Sequence, residues 1–324
     1  MQYLFHAQIP VPWLLEDILT LAVTLLVSIY LIQKSKHPTV ALLEGFAFVL
    51  LYASIYENFA VTQGWYVYGR SLLMIGDVPL SVPLIEVDIV ITTLWLLEDL
   101  EIPNWCKPFI VGLFGMLQDF SLDPVAARQI FTVQNATSGR WTWILEPGMV
   151  NIDNIPVYNF SGWMLILGYA TVFLLIGRWW FKQSGYKPLV GYLYPFVSVL
   201  LALITLVTPL SPLLLWLGPF YQKGSQAEWF LLAFHLCLPT CLLAILWRGR
   251  MKRAIMPGND LPVFAVILLF HLADLLFAIS AGLTNLLWLI VSVSLVHAAL
   301  LWLIWFAGTA AGATPRAATF LFEP

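Results

Sequence analysis

The chain has 324 residues, of which 60% are hydrophobic and only 10% are charged, and its mean hydropathy is +0.86. A soluble domain carries about a quarter charged residues, so this composition excludes a protein with an ordinary water-facing surface. The formal net charge of −3 offers no basic surface for nucleic acid, and no nucleic-acid partner is expected.

Nine apolar segments approach or exceed the length that a helix needs to cross a bilayer. They are residues 13–32, 39–61, 82–97, 109–122, 158–180, 189–210, 229–247, 263–283 and 286–306. Because the third and fourth are short and carry acids, the sequence predicts an all-α, polytopic membrane bundle of eight or nine helices. We expect a single membrane domain, residues 1–324, with a motif-bearing half (39–180), a four-helix half (187–306) and a short tail (307–324).

The distribution of Lys and Arg predicts the orientation, since cytoplasmic loops carry an excess of both. If the N-terminus is outside, eleven of these residues lie on the cytoplasmic side and four on the outer side. The cytoplasmic set is Lys34, Lys36, Lys107, Arg178, Lys182, Lys187, Arg248, Arg250, Lys252, Arg253 and Arg316, and the outer set is Arg70, Arg128, Arg140 and Lys223. This bias predicts a cytoplasmic C-terminus.

Acidic residues lie near the outer ends of the first two spans. Glu16 and Asp17 are at a depth where carboxylates still reach water, so we expect both to be solvated. Glu57 lies towards the outer end of the second span and is followed by Tyr66 and Tyr68 in the loop. Burying a carboxyl group at that depth costs free energy, so such a group normally has a hydrogen-bond or charge partner or takes part in the function of the protein. Glu57 is therefore either a functional group or a buried hydrogen-bond partner between helices.

The fourth span ends in two further acids, Asp119 and Asp123. They are four residues apart and share a face if the helix persists that far. The Asp123–Pro124 pair predicts that the span ends there, or that a new helix begins with Asp123 as its N-cap. In the N-cap interpretation Asp123 has no chemical role.

The loops after the second and fourth spans follow the same order. In each, an acid at the end of the span is followed by a glycine, two aromatic residues one position apart, and an aliphatic–proline pair before the next span. The corresponding residues are Glu57, Tyr66 and Tyr68 in the first loop, and Asp123, Trp141 and Trp143 in the second. This pattern predicts an internal repeat of a helical hairpin, with both loops on one membrane face.

Histidines lie inside three of the later spans. They are His235, His271 and His297, and Asp274 follows His271 by about one helical turn. Such a His–Asp pair is a proton relay, a pigment ligand or, more often, a polar contact between helices. No Cys, His or acidic residues have a spacing typical of a metal site, so the sequence predicts no metal.

Three motifs combine in the middle of the chain: LDPVA at residues 122–126, GxWxW at 139–143 and IPVxNFxGW at 155–163. Together with the preceding loop, they resemble the membrane carotenoid-biosynthesis proteins that include the carotenoid 1,2-hydratases of cyanobacteria and the bisanhydrobacterioruberin hydratases of haloarchaea. The resemblance covers about residues 44–167, and the last four spans share only hydrophobicity. Glu86 departs from the family pattern, which has an aromatic or apolar residue at that position.

The resemblance implies hydration of the terminal double bond of an acyclic (psi) carotenoid end group, in a bacterial or archaeal cell membrane. Carotenoid and membrane lipid are then the expected partners. Adding water to this alkene begins with proton transfer to carbon, which needs a positioned acid but no redox cofactor or metal. A carboxyl group in an apolar pocket keeps its proton because desolvation disfavours the anion. A second carboxylate can deprotonate the attacking water.

This chemistry assigns roles to nine residues. Asp123 is the expected proton donor, and Glu57 or Asp119 is the expected base. The expected substrate-binding residues are Tyr66, Tyr68, Trp141, Trp143, Asn159 and Trp163. Aromatic faces stabilise a transient cation by about 0.5–2 kcal/mol each. The alternative for the aromatic residues is a belt at the membrane interface.

Two other classes of function are compatible with the sequence. A non-catalytic carotenoid- or pigment-binding membrane subunit is favoured by the high Trp content and by the embedded histidines. A transporter for a small solute would need acids along a path through the whole bilayer. The embedded carboxylates are instead expected to cluster near one membrane face.

Overall fold

The computed structural model describes residues 9–98, 102–133, 136–207, 224–247 and 257–310. These residues contain nine helices. They are α1 (Val11–Lys34), α2 (Pro38–Thr62), α3 (Ser81–Glu98), α4 (Lys107–Arg128), α5 (Val157–Gln183), α6 (Pro188–Val207), α7 (Ala227–Trp247), α8 (Pro257–Ser280) and α9 (Leu287–Ala310). Seven of them, all except α3 and α8, are long and apolar enough to cross a membrane. The prediction of a polytopic helical membrane protein is therefore confirmed.

Short strands lie in the loops that join α2 to α3 and α4 to α5. They are β1 (Tyr66–Tyr68), β2 (Met74–Ile75), β3 (Val78–Pro79), β4 (Phe131–Val133), β5 (Ala136–Ser138), β6 (Trp141–Trp143), β7 (Asn151–Ile152) and β8 (Ile155–Pro156). All of them lie at one end of the bundle, called the strand end below. That the strand end faces outward stays a prediction. Six of the residues used to predict it lie outside the described residues: Lys223, Arg248, Arg250, Lys252, Arg253 and Arg316.

The two strand-bearing loops are built in the same order, in agreement with the predicted repeat. β1 of the first loop pairs in antiparallel register with β6 of the second. In each loop a two-residue hairpin then leads into the next helix, β2–β3 before α3 and β7–β8 before α5. The second loop has an additional hairpin, β4–β5, between α4 and β6. The β1–β6 pair joins the two loops into one cover over the helix ends.

Helix α4 lies at the centre of the bundle and packs against α3, α5, α7, α8 and α9. Nearly all of its residues are buried. Two glycines allow the closest approach, because a Cβ atom at Gly112 would overlap the Sδ atom of Met164, and one at Gly115 would overlap Leu167 of α5. Small residues are common where membrane helices pack closely, because they let the two backbones approach.

The expected end of the fourth span at Asp123–Pro124 is wrong. Helix α4 continues through Pro124 to Arg128, so Asp123 lies inside the helix and is not an N-cap. Proline removes only one backbone donor from the helix. The residues around it, including Val125, are buried and keep this last turn packed. Because the helix persists, Asp119 and Asp123 share one face, as expected for that case.

The expectation that Glu16 and Asp17 reach water is also wrong. Their exposed fractions are 7% and 6%, and both lie against Arg140, which is wholly buried. The Arg140 guanidinium donates a hydrogen bond to the Asp17 carboxylate and another, of 2.8 Å, to the Ser81 hydroxyl. Its Nε atom lies 3.4 Å from the Glu16 carboxylate. The Arg140 amide also donates to the carbonyl of Ala126. This cluster connects α1, α3, α4 and the second loop.

A second cluster of buried charges lies at the opposite end of the bundle. Arg178 of α5 makes two hydrogen bonds to Glu44, at 2.8 and 2.6 Å, and one to Glu98, at 3.0 Å. Tyr194 donates to Glu44 and Lys107 lies 3.8 Å from Glu98. The expectation that embedded carboxylates occur near one face only is therefore wrong. The acids of this second cluster, however, are paired with cations.

The predicted His–Asp pair of α8 is joined through a third residue. The Ser121 hydroxyl of α4 donates to Asp274 at 2.6 Å and lies 2.9 Å from Nδ1 of His271. Nε2 of His271 lies 2.9 Å from Nδ1 of His297 on α9. The arrangement matches the interpretation as a polar contact between helices. Within the described residues, no cluster of three or more His, Cys or acidic side chains could hold a metal ion.

Candidate active site

A small cavity lies beneath the paired strands β1 and β6, among the strand-end parts of α2, α3, α4 and α5. Its volume is about 30 Å³, which is room for about two water molecules. Eight of the nine residues predicted for the site line it: Glu57, Tyr66, Tyr68, Asp123, Trp141, Trp143, Asn159 and Trp163. The ninth, Asp119, lies one helical turn behind Asp123 and is completely buried.

Glu57 is held by two phenol groups from β1. The Tyr66 hydroxyl donates to its Oε2 at 2.6 Å, and the Tyr68 hydroxyl donates to the same oxygen. Burial, followed by the nearby Glu57 carboxylate, raises the pKa of Tyr66 and of Tyr68 well above the ordinary value. Both phenols therefore keep their protons and act as donors at any physiological pH. A carboxyl oxygen that accepts two such bonds is fixed in position.

Asp119 and Asp123 are joined by the side-chain amide of Asn159. Its Nδ2 atom donates one hydrogen bond to each carboxyl group, both at 2.7 Å. The indole of Trp143 donates a further bond to Asp123, at 3.2 Å. Asn159 reaches both acids because it lies in the first turn of α5, beside the α4 face that carries them. Both carboxyl groups accept a hydrogen bond from the same nitrogen atom, so they lie close together. Two neighbouring carboxyl groups tend to share one proton, because two negative charges at that separation repel each other.

Glu86 of α3 is a site residue that the sequence analysis did not assign. It is completely buried, accepts a hydrogen bond from the Tyr56 hydroxyl, and lies near Glu57. Its departure from the family pattern was the only sequence signal for it. Of these four acids, Glu57 and Asp123 line the cavity, whereas Glu86 and Asp119 are completely buried near them and are not part of its lining.

Four aromatic rings of the paired strands cover the cavity. Tyr66 lies opposite Trp143 in the strand register, with ring centroids 4.6 Å apart, and Tyr68 lies opposite Trp141 at 5.9 Å. Tyr66 and Trp141 are buried, while Tyr68 and Trp143 are half-buried. Rings at a membrane interface normally project towards lipid headgroups. Because these rings line an internal cavity, the interpretation as an interfacial belt does not describe them.

The arrangement combines acids on two sides of a space large enough for water, with π-faces above it. Proton transfer to an alkene followed by addition of water requires groups of these kinds: an acid, a base and aromatic faces that stabilise a cation. The half-buried residues Tyr68, Trp143 and Asn159 mark the mouth of the cavity.

One comparison with known proteins shows the family to which the chain belongs. The sequence model of a family described as carotenoid biosynthesis protein matches residues 16–220, which is more than half of the chain and includes every residue of the candidate site. No curated protein and no solved structure matches it. The chain belongs to the carotenoid biosynthesis protein family.

Proposed function

We propose that this chain is a carotenoid hydratase, which adds water to the terminal double bond of an acyclic carotenoid end group. The observation that carries the proposal is the convergence of Glu57 and Asp123, from two helices, on one small cavity beneath aromatic rings, with Asp119 joined to Asp123 through Asn159. Membership of the family supports the carotenoid as substrate. The apolar surface of the bundle supports delivery of that substrate from the membrane.

In the proposed reaction the Asp123 carboxyl transfers its proton to the terminal alkene carbon. The π electrons form the new C–H bond and leave a tertiary cation on the neighbouring carbon, next to the rings of Tyr68 and Trp143. A water molecule bonds to this carbon through its oxygen, and Glu57 takes the proton that the water loses. The Asp123 carboxylate recovers a proton from Glu57 through water in the cavity, so the net change is the addition of one water.

The other residues of the site prepare this step. Asn159 holds Asp119 beside Asp123, so that the pair retains one proton for transfer. Tyr66 and Tyr68 keep one oxygen of Glu57 occupied, which leaves the other oxygen for the water. The reaction needs neither a redox cofactor nor a metal, because no electrons are transferred and the acid is a carboxyl group.

The direct test is Asp123→Asn in a host that accumulates lycopene. General acid catalysis is worth roughly 10²–10⁴-fold, so the hydrated product should fall by that factor. Asp77→Asn is the matched control, because Asp77 is exposed in the turn between β2 and β3 at the same end of the bundle. Product would be measured by mass spectrometry as a gain of one water. Undiminished product from Asp123→Asn would refute the assignment of the donor.

The same experiment separates the enzyme from a non-catalytic pigment-binding subunit. A hydratase yields a carotenoid heavier by one water, whereas a binding subunit yields purified protein with unchanged lycopene attached. If the wild-type chain retains lycopene and forms no hydrated product, the proposal is wrong and the binding function replaces it.

A further inference from the structure

A second and larger cavity lies on the other side of α5 from the candidate active site. It is a groove of about 590 Å³ between α5, α7 and the start of α4. Its lining is almost entirely apolar and includes Trp105, Phe109, Val172 and Trp179. Along α5 it extends from Met164 to Trp179, which is about 22 Å at 1.5 Å per residue. A groove of this shape accommodates a long, thin, apolar chain.

The groove is separate from the reaction cavity. Asn159 faces the cavity and Gly168 faces the groove, and nine residues correspond to about two and a half turns of helix. The two sites therefore lie on opposite sides of α5. The close contact of Gly112 with Met164 fills the space between α4 and α5. A ligand in the groove is not in position to react with Asp123.

One polar side chain in the groove lacks a partner. His235 of α7 is 4% exposed, and its Nδ1 atom has no hydrogen bond among the described residues. It follows the first residue of α7 by eight positions, about 12 Å, which places it near the middle of a hydrocarbon core about 30 Å thick. Phospholipid headgroups do not reach that depth. A buried polar atom without a partner is costly, so this ring is suited to a ligand that carries a polar atom into the membrane interior.

We propose that the groove is a second binding site for a long isoprenoid chain that bears a hydroxyl group, and that the hydroxyl group hydrogen-bonds to His235. The choice of a hydroxylated isoprenoid rests on the proposed function, because hydration converts the hydrocarbon end group to a tertiary alcohol. The groove would then retain the product after it leaves the reaction cavity. His235 lies beyond residues 16–220, so this site is built partly by helices outside the family match.

The test is a binding measurement that requires no turnover. The purified full-length protein in detergent is mixed with lycopene or with 1-hydroxylycopene, the excess is removed, and the bound molecules are extracted and then identified and quantified by mass spectrometry. We expect the wild type to bind 1-hydroxylycopene at least tenfold more tightly than it binds lycopene. His235→Leu should abolish this preference while lycopene still binds, and His235→Gln, which keeps a hydrogen-bonding group, should restore part of it.

A second variant tests whether the ligand lies in the groove. Gly168→Leu adds a side chain where the nearest atom to a Cβ is the Pro108 carbonyl oxygen, at 3.7 Å, so the fold has room for it. It should reduce the binding of both pigments at least tenfold. Leu25→Phe, at an exposed position of α1, is the control and should bind both pigments as the wild type does.

Three results would overturn the proposal: unchanged binding in Gly168→Leu, an unchanged preference in His235→Leu, or a wild type that retains only phospholipid. These outcomes are distinct from failure of the proposed function. A protein that binds 1-hydroxylycopene but never hydrates lycopene would refute the hydratase and leave the second site intact.

Discussion

At the scale of single residues, the candidate site depends on side chains that hold other side chains. Asn159 uses both hydrogens of its amide, one for Asp119 and one for Asp123. Glu57 and Glu86 are held in the same way by phenols of Tyr56, Tyr66 and Tyr68. The acids are therefore fixed in position before any substrate arrives, which is the condition for efficient proton transfer.

We expect Asn159→Leu to lower the rate of hydration roughly 10- to 100-fold, because hydrogen bonds to charged groups are worth about 1.5–3 kcal/mol. Leucine has a similar volume and removes both amide donors. Ser161→Ala is the control, since Ser161 lies two residues further along α5, is buried, and has no hydrogen bond to either acid. Formation of hydrated lycopene in isolated membranes measures both. Wild-type rates in Asn159→Leu would show that the amide has no part in the reaction.

At the scale of secondary-structure elements, the contact between α4 and α5 positions the site. These two helices carry Asp119, Asp123, Asn159 and Trp163, and their separation is set by the glycines at 112 and 115. If the helices moved apart, Asn159 would no longer reach both acids at 2.7 Å. The packing of α4 against α5 therefore sets the geometry of the carboxyl pair.

Gly112→Ala should destabilise the protein by about 1–3 kcal/mol, the usual cost of overpacking. The new Cβ atom would lie 2.9 Å from the backbone oxygen of Met164, which cannot move without shifting α5. Gly162→Ala is the matched control, because a Cβ atom at Gly162 meets nothing within 4 Å. Titration with denaturing detergent, followed by tryptophan fluorescence, compares the two. Equal stability of both variants would contradict the close approach of α4 and α5.

At the scale of the whole molecule, buried charges connect the helices at both ends of the bundle. Arg140 links α1, α3, α4 and the strand-bearing loops at one end, and Arg178 links α2, α3, α5 and α6 at the other. Lipid provides no hydrophobic force that drives one apolar helix against another. Interactions between polar groups are therefore a direct way to specify which helices meet.

Arg140→Met should cost about 3–5 kcal/mol of stability, because it leaves Glu16 and Asp17 buried without a cation. Arg128→Met should cost about 0–1 kcal/mol, since Arg128 is about one-third exposed and lies 3.6 Å from Asp153 in a surface pair. The same detergent titration measures the two variants side by side. A loss below about 1 kcal/mol for Arg140→Met would show that Arg140 does not hold the loops to α1.

The sequence by itself determined that the chain is a polytopic helical membrane protein, and it supplied the candidates for the site. Hydropathy locates spans because each membrane-crossing segment must be apolar along its own length, which is a local property. Candidate site residues such as Glu57 and Asn159 could be selected because polar groups in apolar segments are costly and therefore few. Asp123 was found for the same reason, although the proline after it wrongly predicted the end of the helix.

Only the tertiary structure decided which of these residues meet. The pairing of Tyr66 with Trp143, the burial of Glu16 and Asp17 against Arg140, and the place of Glu86 beside Glu57 all join segments far apart in the chain. In a membrane helix, lipid-facing and buried positions are both apolar, so hydrophobicity does not reveal how each helix is rotated or which helix lies beside it. That information arises from close packing and from paired polar groups, and both exist only once the helices have assembled.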